Sequence, residues 1–500
     1  MNPFQGNKFW WLSITAALVF FTTAWFSTGY YHADEHYQLI EFAGFKLGTH
    51  HADELAWEFQ ARMRPALQPA IAYACLGTLQ AAGVSDPYMQ TFALRLLSAL
   101  LSFIMLNFFA RRLQYVYGQS DSFPTFQLLQ YFTWFIPFLA VRFSSETWSG
   151  LFLLGGIGLL FNPEDKSINP IKLGLLFGIS FLFRFQMAFA VLGIFAWLTW
   201  IKRETFRNLL VMASSFLAMT GLGFLIDSWF YEQWVFTPWI YLKAVIDSAG
   251  TGFGVEPWYF YVWQILIYPG FFIGITLTLS IFLLLYHEWR NPILWAFLPF
   301  LFIHSLIPHK EMRFLFPLAF LVPALILHAW VLMKSKIKAG WILKTGLAVM
   351  LVFVTINTIA LTAMMFKPAG LGRVAVMEHI HRQEGHQPLH LIFCSWGNPY
   401  NPWQSIPKKF YLEKEITFTQ IRNICQLNDS LLQAEKVNLF VCRQIDLQKK
   451  ECLIQLEKAG FVLQYKSVSE FAQLLNWNDN WFDSREVLYL FKKSQPNSAE

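Results

Sequence analysis

His32-Ala33-Asp34-Glu35-His36-Tyr37-Gln38 sets two adjacent carboxylates between two histidines, a few residues beyond the apolar run 9–26. That run has the length and composition of a membrane span. Charge placed so close to hydrocarbon is expensive, so the stretch reads either as an anchor at the membrane interface or as a working site.

Around it lies the composition of a polytopic membrane protein. Charged residues make up 14% of the chain, where a soluble protein carries about a quarter. The hydrophobic set is 55% and aromatics are 18%, and the mean hydropathy is +0.38. The formal net charge is +6, yet Lys and Arg fall in short clusters between apolar runs. That pattern serves membrane orientation and does not supply the basic face that nucleic-acid binding needs. The run 9–26 is longer than a usual signal-peptide core and no small-residue cleavage site follows, so it is expected to stay as an anchor.

Apolar runs recur near 9–28, 87–110, 124–142, 145–161, 171–184, 187–201, 208–230, 259–286, 292–307, 314–333 and 341–365. They predict an all-α polytopic membrane fold with about eleven transmembrane helices. Residues 66–82 are expected as a helix at the outer face rather than a span. Residues 1–366 form the membrane domain, with 29–86 as its first outer loop, and 367–500 form a small extracytoplasmic α/β domain.

Orientation follows from the basic clusters. Lys8, Arg111 and Arg112, Lys166 and Lys172, Lys202, Arg203 and Arg207, Arg290, and Lys334, Lys336, Lys338 and Lys344 all fall inside if the N-terminus is inside. The loops 29–86, 142–145, 184–187, 231–258 and 308–313, with the tail, then fall outside. His32, Asp34, Glu35, Trp57, Glu58, Arg62, Arg64, Arg142, Glu146, Arg184, Gln186, Asp227, His309, Lys310, Glu311 and Arg313, in those outer segments or at their edges, then converge on one membrane face. For Arg142, Glu146 or Asp227 alone, an interfacial anchor is an equally good reading.

In the tail, 389–393, 437–441, 461–465 and 487–491 read as strands and 446–459 as a helix. Four of the five cysteines, Cys394, Cys425, Cys442 and Cys452, lie there. An oxidising outer compartment would permit disulfides, but their pairing cannot be deduced from spacing.

Three stretches could carry chemistry. Asp34, Gln38 and Glu41 would share one face of a helix starting near Asp34, and a partly desolvated carboxylate there suits deprotonation of a hydroxyl. The alternative is that Asp34 caps that helix. The repeat His51-Ala52-Asp53-Glu54 makes Asp53 a rival base, but its neighbours read as an ordinary turn. Second, Pro308-His309-Lys310-Glu311-Met312-Arg313-Phe314 interrupts two apolar runs. Arg313 offers a planar fork and Lys310 a point charge to a phosphate at the bilayer surface, with Glu311 holding one cation in place; the plain alternative is a snorkelling pair. Third, loop 231–258 carries Trp234-Val235-Phe236-Thr237-Pro238-Trp239 and Gly250-Thr251-Gly252-Phe253-Gly254. Its aromatic faces suit sugar CH groups or an interfacial belt, and its glycines a backbone closing on a ligand. Nucleotide-binding glycine patterns and zinc motifs are not seen in the sequence.

These segments, in this order, resemble the α-mannosyltransferase family of GPI-anchor and N-glycan assembly, membrane enzymes of the GT-C fold. The likeness lies in His32-Ala33-Asp34-Glu35 with Gln38 and Glu41, Ala56-Trp57-Glu58-Phe59 with Arg64-Pro65, Phe183-Arg184-Phe185-Gln186, Asp227-Ser228-Trp229-Phe230-Tyr231, Trp234-Val235-Phe236-Thr237-Pro238, Phe253-Gly254-Val255-Glu256-Pro257-Trp258, His309-Lys310-Glu311-Met312-Arg313-Phe314 and the Cys394 segment of the tail. The chain departs from the family pattern at Ala33, Ala56, Phe185 and Gln186. The resemblance implies a polyprenyl-phosphate (dolichyl-type) sugar donor, a glycan or glycolipid acceptor, and transfer of a sugar, mannose being the first expectation, with inversion. It implies Asp34 as base with Glu35 beside it. His309, Lys310 and Arg313 would hold the leaving phosphate, and Gln38, Trp57, Glu58, Arg64, Arg184 and Trp234 would line the substrate. No metal or cofactor is called for, since cationic side chains can stabilise such a leaving group. The site would face the extracytoplasmic side: periplasmic in a bacterium, the endoplasmic reticulum lumen in a eukaryote. Rival readings are a lipid-linked sugar flippase, which would need polar residues through the midplane, and a GT-C transferase acting on protein or lipid A.

Overall fold

The computed structural model describes residues 3–118, 122–161, 168–247, 254–336, 340–401, 408–448, 450–476, 479 and 481–494. Lys166, Lys338 and Gly250 to Phe253 lie outside the described residues. Two compact units emerge. One comprises residues 1–24, 57–74 and 94–365; the other comprises 25–56, 75–93 and 366–500. Most of the first polar loop therefore groups with the C-terminal region, not with the helices that flank it in sequence.

The first unit is helical. Among the described residues, Pro87–Tyr117, Phe185–Lys202, Phe206–Phe230 and Lys344–Met365 are long and apolar enough to cross a membrane. Two bent pairs, Phe271–His287 with Pro292–Leu306 and Met312–Ala319 with Val322–Lys336, raise the number to six if each is one span. The expected eleven is thus not confirmed, because several apolar runs are broken. The run 124–142 divides into Phe123–Phe132 and Phe135–Ala140. At that break Asn357 Oδ1 accepts from Trp134 N at 2.8 Å and Asn357 Nδ2 donates to Phe132 O at 2.7 Å. One buried amide thus satisfies both backbone groups that the missing helical turn releases. The run 259–286 breaks between Phe260–Ile267 and Phe271–His287, and there Trp134 Nε1 donates to Pro269 O at 2.9 Å.

Two close approaches set this unit's geometry. A Cβ at Gly150 would stand 2.6 Å from Pro317 O, so only glycine lets helix Ser145–Leu160 press against the segment that follows Arg313. Gly174 plays the same part, allowing helix Pro170–Phe183 to touch the Met212 carbonyl of Phe206–Phe230.

The second unit is built on a five-stranded sheet: β1 Leu389–Cys394, β2 Ile416–Ile421, β3 Val437–Arg443, β4 Phe461–Lys466 and β5 Leu488–Lys493, in the order β2-β1-β3-β5-β4. β1 runs parallel to β2 and β3, while β5 is antiparallel to β3 and β4. Period-two alternation sorts the core. Leu389, Leu391, Leu439, Val441 and Leu490 pack on one face with Val376, Met377 and Ile380 of helix Arg373–Glu384. Ile392, Cys394, Phe440, Cys442 and Phe491 pack on the other with Leu456 of helix Lys450–Lys458. Four of the strands are those expected from sequence; β2 is additional. The entry to the first loop is tied into the same unit. Thr28 O accepts from Ala369 N at 3.0 Å, and Thr28 Oγ1 donates to Glu378 at 2.8 Å.

Candidate active site

In the helical unit the polar residues converge on Glu146. Ser144, in extended conformation, caps helix Ser145–Leu160 by accepting from Thr147 N, which sets Glu146 in the first turn, where the helix dipole favours a carboxylate. Glu146 is buried. Its Oε1 lies 2.7 Å from Arg184 Nη1 and 3.4 Å from Arg313 Nη1. Arg184 reaches it because helix Pro170–Phe183 ends in an extended residue at 184 before the short turn Phe185–Met187. Arg313 reaches it because Pro292–Leu306 stops and a new turn, Met312–Leu315, begins.

Glu311 grips Arg313 through both oxygens, from Nε and, at 3.3 Å, from Nη2. His309 Nε2 lies 2.9 Å from Glu311 Oε1. Both guanidinium groups stand over the Phe314 ring, at 5.3 Å for Arg184 and 5.2 Å for Arg313. Lys310 Nζ donates to the carbonyls of Glu256 at 2.8 Å and Pro308 at 3.4 Å. Burial holds its ammonium below the usual lysine range, against the opposing pull of Glu256. Arg184, Lys310 and Arg313 stand with Glu146, Glu311 and, beside Lys310, Glu256, so three cationic side chains are set among three carboxylates, and the paired guanidinium groups are the part that suits an anion.

The same short turn joins this cluster to a second one. Gln186 donates to the Tyr241 hydroxyl, and the Tyr241 ring lies under the Arg64 guanidinium at 5.9 Å. Arg64 in turn approaches Glu58 at 3.5 Å. Asp227 is buried, accepting from Ala66 N at 2.7 Å and from Thr237 Oγ1. It therefore braces the strand of backbone that carries Arg64. Trp57 and Trp234 are largely exposed, and Trp234 stacks on Phe224 at 5.6 Å. Of the expected site residues in this unit, Glu58, Arg64, Arg184, His309 and Arg313 belong to one network of contacts. Lys310 adjoins it through the backbone, and Trp57 and Trp234 make none of these contacts.

In the second unit, the expected single helix is two. Asp34–Tyr37 ends at Gln38, and Ile40–Lys46 begins after Leu39, so Asp34, Gln38 and Glu41 do not form one helical stripe. The reading of Asp34 as a cap is overturned: the capping position is Ala33, and no side chain caps there. Asp34 is partly exposed, with Oδ1 3.5 Å from His32 Nδ1, and Glu35 Oε1 accepts from His32 N at 3.4 Å. Gln38 and Glu41 are buried.

Glu41 Oε1 meets His36 Nε2 at 2.6 Å, and its Oε2 meets His50 Nε2. Phe410 N also points to Oε1, at 3.4 Å. Burial alone would raise the Glu41 carboxyl, but the two imidazoles outweigh it and hold it at about 2. Burial lowers His36, with Glu41 opposing. The sign of both shifts is the same for stability. The unfolded chain takes up protons on acidification before the folded one does, from about pH 6.5 for the histidine and about pH 4.3 for the carboxyl. The stabilisation is therefore complete near neutrality, and the thermal midpoint of this unit is expected to fall steadily as pH drops below about 6.5. Differential scanning fluorimetry between neutral pH and pH 4 measures it, and a midpoint that holds or rises would contradict the assignment.

The sequence profile of the Alg9-like mannosyltransferase family matches residues 10–413. The chain belongs to that family. GPI alpha-1,2-mannosyltransferase 3 of Bos taurus is 26% identical over 306 residues, covering 57% of this chain and 52% of its own. GPI mannosyltransferase 3 of Yarrowia lipolytica is 28% identical over 333 residues, covering 63% and 61%. The match thus spans a little over half the length of these curated relatives. The crystal structure of ArnT from Cupriavidus metallidurans bound to undecaprenyl phosphate superposes with a TM-score of 0.53 at 11% identity, covering 96% of this chain and 97% of that one. The likeness identifies the GT-C fold. Sequence reading assigned Glu146 to the outer face without a role and passed over Tyr241. The Ser144-Ser145-Glu146 capping pattern was the available signal for the first; nothing local marks the second.

Proposed function

We propose that this family member is a multi-pass membrane glycosyltransferase that moves mannose from a polyprenyl phosphate to a hydroxyl of a glycan or glycolipid, with inversion at the anomeric carbon. The observation that carries the reading is the paired guanidinium cluster in which Arg184 and Arg313 share one oxygen of buried Glu146. The anomeric C–O bond breaks, and its electrons leave on the lipid phosphate, whose charge grows from one to two. Arg313, Lys310 and His309 stabilise that charge as it develops. The acceptor oxygen bonds to the anomeric carbon, and Asp34 takes its proton, with Glu35 orienting the pair. Gln38, Trp57, Glu58, Arg64, Arg184 and Trp234 are assigned to the sugar and acceptor, and the reaction to the extracytoplasmic face. The neighbour ArnT holding undecaprenyl phosphate, and relatives named as GPI mannosyltransferases, support a lipid-phosphate donor and a glycolipid acceptor.

Purified protein in lipid nanodiscs, supplied with dolichyl- or undecaprenyl-phosphate mannose and a panel of mannose-terminated glycolipids, is expected to release polyprenyl monophosphate and lengthen the acceptor by one mannose. Transfer from a nucleotide sugar instead would overturn the reading. So would movement of intact lipid-linked sugar across proteoliposomes without bond cleavage.

A further inference from the structure

We infer that Glu41, clamped between His36 and His50 inside the second unit, is a positioning residue that fixes the Asp34–Glu35 pair for the transfer. The inference rests on the reading of Asp34 as base and names a group that does not itself meet substrate, since Glu41 is only 2% exposed.

The starting point is local instability. Asp34–Tyr37 is a single helical turn, far below the length at which a helix holds itself, and it has no side-chain cap. Something else must set the direction of its side chains. That turn buries His36 and Tyr37 and leaves Asp34 partly exposed. His36 is therefore its peg. The peg is fixed in two ways. Its ring lies between Tyr30 and Tyr411, at centroid distances of 5.6 and 5.3 Å and interplanar angles of 27° and 17°. Its Nε2 then meets Glu41.

Glu41 is where separate segments are joined. His36 comes from the turn that carries Asp34 and Glu35, His50 from the loop after helix Ile40–Lys46, and Phe410 N from the tail. The chain makes room for the arrangement: a Cβ at Gly44 would run into the His50 ring. Tyr411 extends the support by stacking on Tyr88 at 5.1 Å, and Tyr88 contacts His381 at 5.1 Å. Burying a carboxylate with two imidazoles is a poor way to obtain stability alone, because an apolar replacement packs as well without the desolvation penalty. What the charged clamp adds is direction, since the His36–Glu41 hydrogen bond orients the ring and hence the turn. The break at Gln38–Leu39 has the same origin. A continuous helix would put Glu41 on the face of Asp34; the break lets it turn back into the core under His36.

The test compares Glu41→Gln, His36→Gln and Asp34→Asn in the nanodisc assay, with thermal midpoints recorded alongside. Glu41→Gln is expected to lower kcat by about 10- to 100-fold, the scale of a displaced catalytic group, with donor KM within about twofold and His36→Gln behaving alike. In the Asp34→Asn background, Glu41→Gln is expected to cost nothing further, as for two residues acting through one step. Should Glu41→Gln fail to fold, His50→Asn loosens the same clamp and is read in the same way. An unchanged kcat, a loss confined to KM, or additive losses with Asp34→Asn would overturn the proposal while leaving Asp34 as base. Full activity in Asp34→Asn would instead remove the base itself, and the proposal with it.

Discussion

Asp34→Asn is expected to reduce mannosyl transfer about a thousandfold, within the span attributed to a positioned general base, while the thermal midpoint stays where it was. The two halves follow from different observations. Asp34 is partly exposed and does not cap its own helix, so an isosteric amide removes little that holds the fold. An amide, however, cannot take the acceptor proton. Asp53 provides the internal control, because His51-Ala52-Asp53-Glu54 repeats the sequence of the first loop in a different setting. There the turn Ala52–Glu54 is closed by Glu54, which accepts from His51 N at 3.0 Å and pairs with Lys409, and Asp53 itself points to solvent. Asp53→Asn is expected to stay within about twofold of the parent, as exposed substitutions usually do. Initial rates with purified variants and a lipid-phosphate mannose decide the matter, and an active Asp34→Asn would remove the base from the mechanism.

How much of this could be read from the chain alone depends on the length scale of the cause. Membrane character, the helical bulk and four of five strands follow from composition and short-range periodicity, which the sequence displays directly. β2 was not visible because Ile416–Ile421 is a half-exposed edge strand whose threonines and glutamine dilute the apolar alternation. The count of eleven spans is not confirmed, for a longer-range reason. Hydropathy over 124–142 sees one apolar run, whereas the break at 133–134 is paid for by Asn357, more than two hundred residues away. Within the candidate site, the run from His309 to Phe314 was legible as a cationic knot, and the grip of Glu311 on Arg313 is what the spacing suggested. The partner that gathers the arginines, Glu146, was legible only as one acid among several, because its role exists through Arg184 and Arg313, which lie far along the chain. Gln38 and Glu41 were set on the wrong surface for a related reason: no glycine or proline marks the break at Leu39, which is imposed by the histidines that Glu41 meets in the core.

Arg313→Lys is expected to lower kcat about 100- to 1000-fold, comparable to the loss of one preorganised donor to a developing anion, with donor KM changed only a few-fold. Lysine is the informative replacement because it keeps a positive charge near Glu146 and Glu311. Arginine to alanine would leave those carboxylates short of a partner and confuse folding with catalysis. What lysine lacks is the planar fork. Arg313 spends that fork on Glu311 through Nε and Nη2 and turns Nη1 to Glu146, and a single ammonium cannot keep three such directions at once. Lys310 adds a point charge toward the phosphate but cannot replace the fork, since two of its donors are already held by the carbonyls of Glu256 and Pro308. The split between kcat and KM follows from charge: the proposed donor is a phosphodiester with one negative charge, whereas the lipid monophosphate that would depart approaches two. A cation that acts on the leaving group therefore matters more at the transition state than in the bound ground state. The same asymmetry predicts weaker inhibition by polyprenyl monophosphate, by about tenfold or more. Steady-state rates measured with and without added polyprenyl monophosphate separate the outcomes. A variant that loses donor affinity but turns over at the parental rate would place Arg313 on the ground-state substrate, not on the departing phosphate.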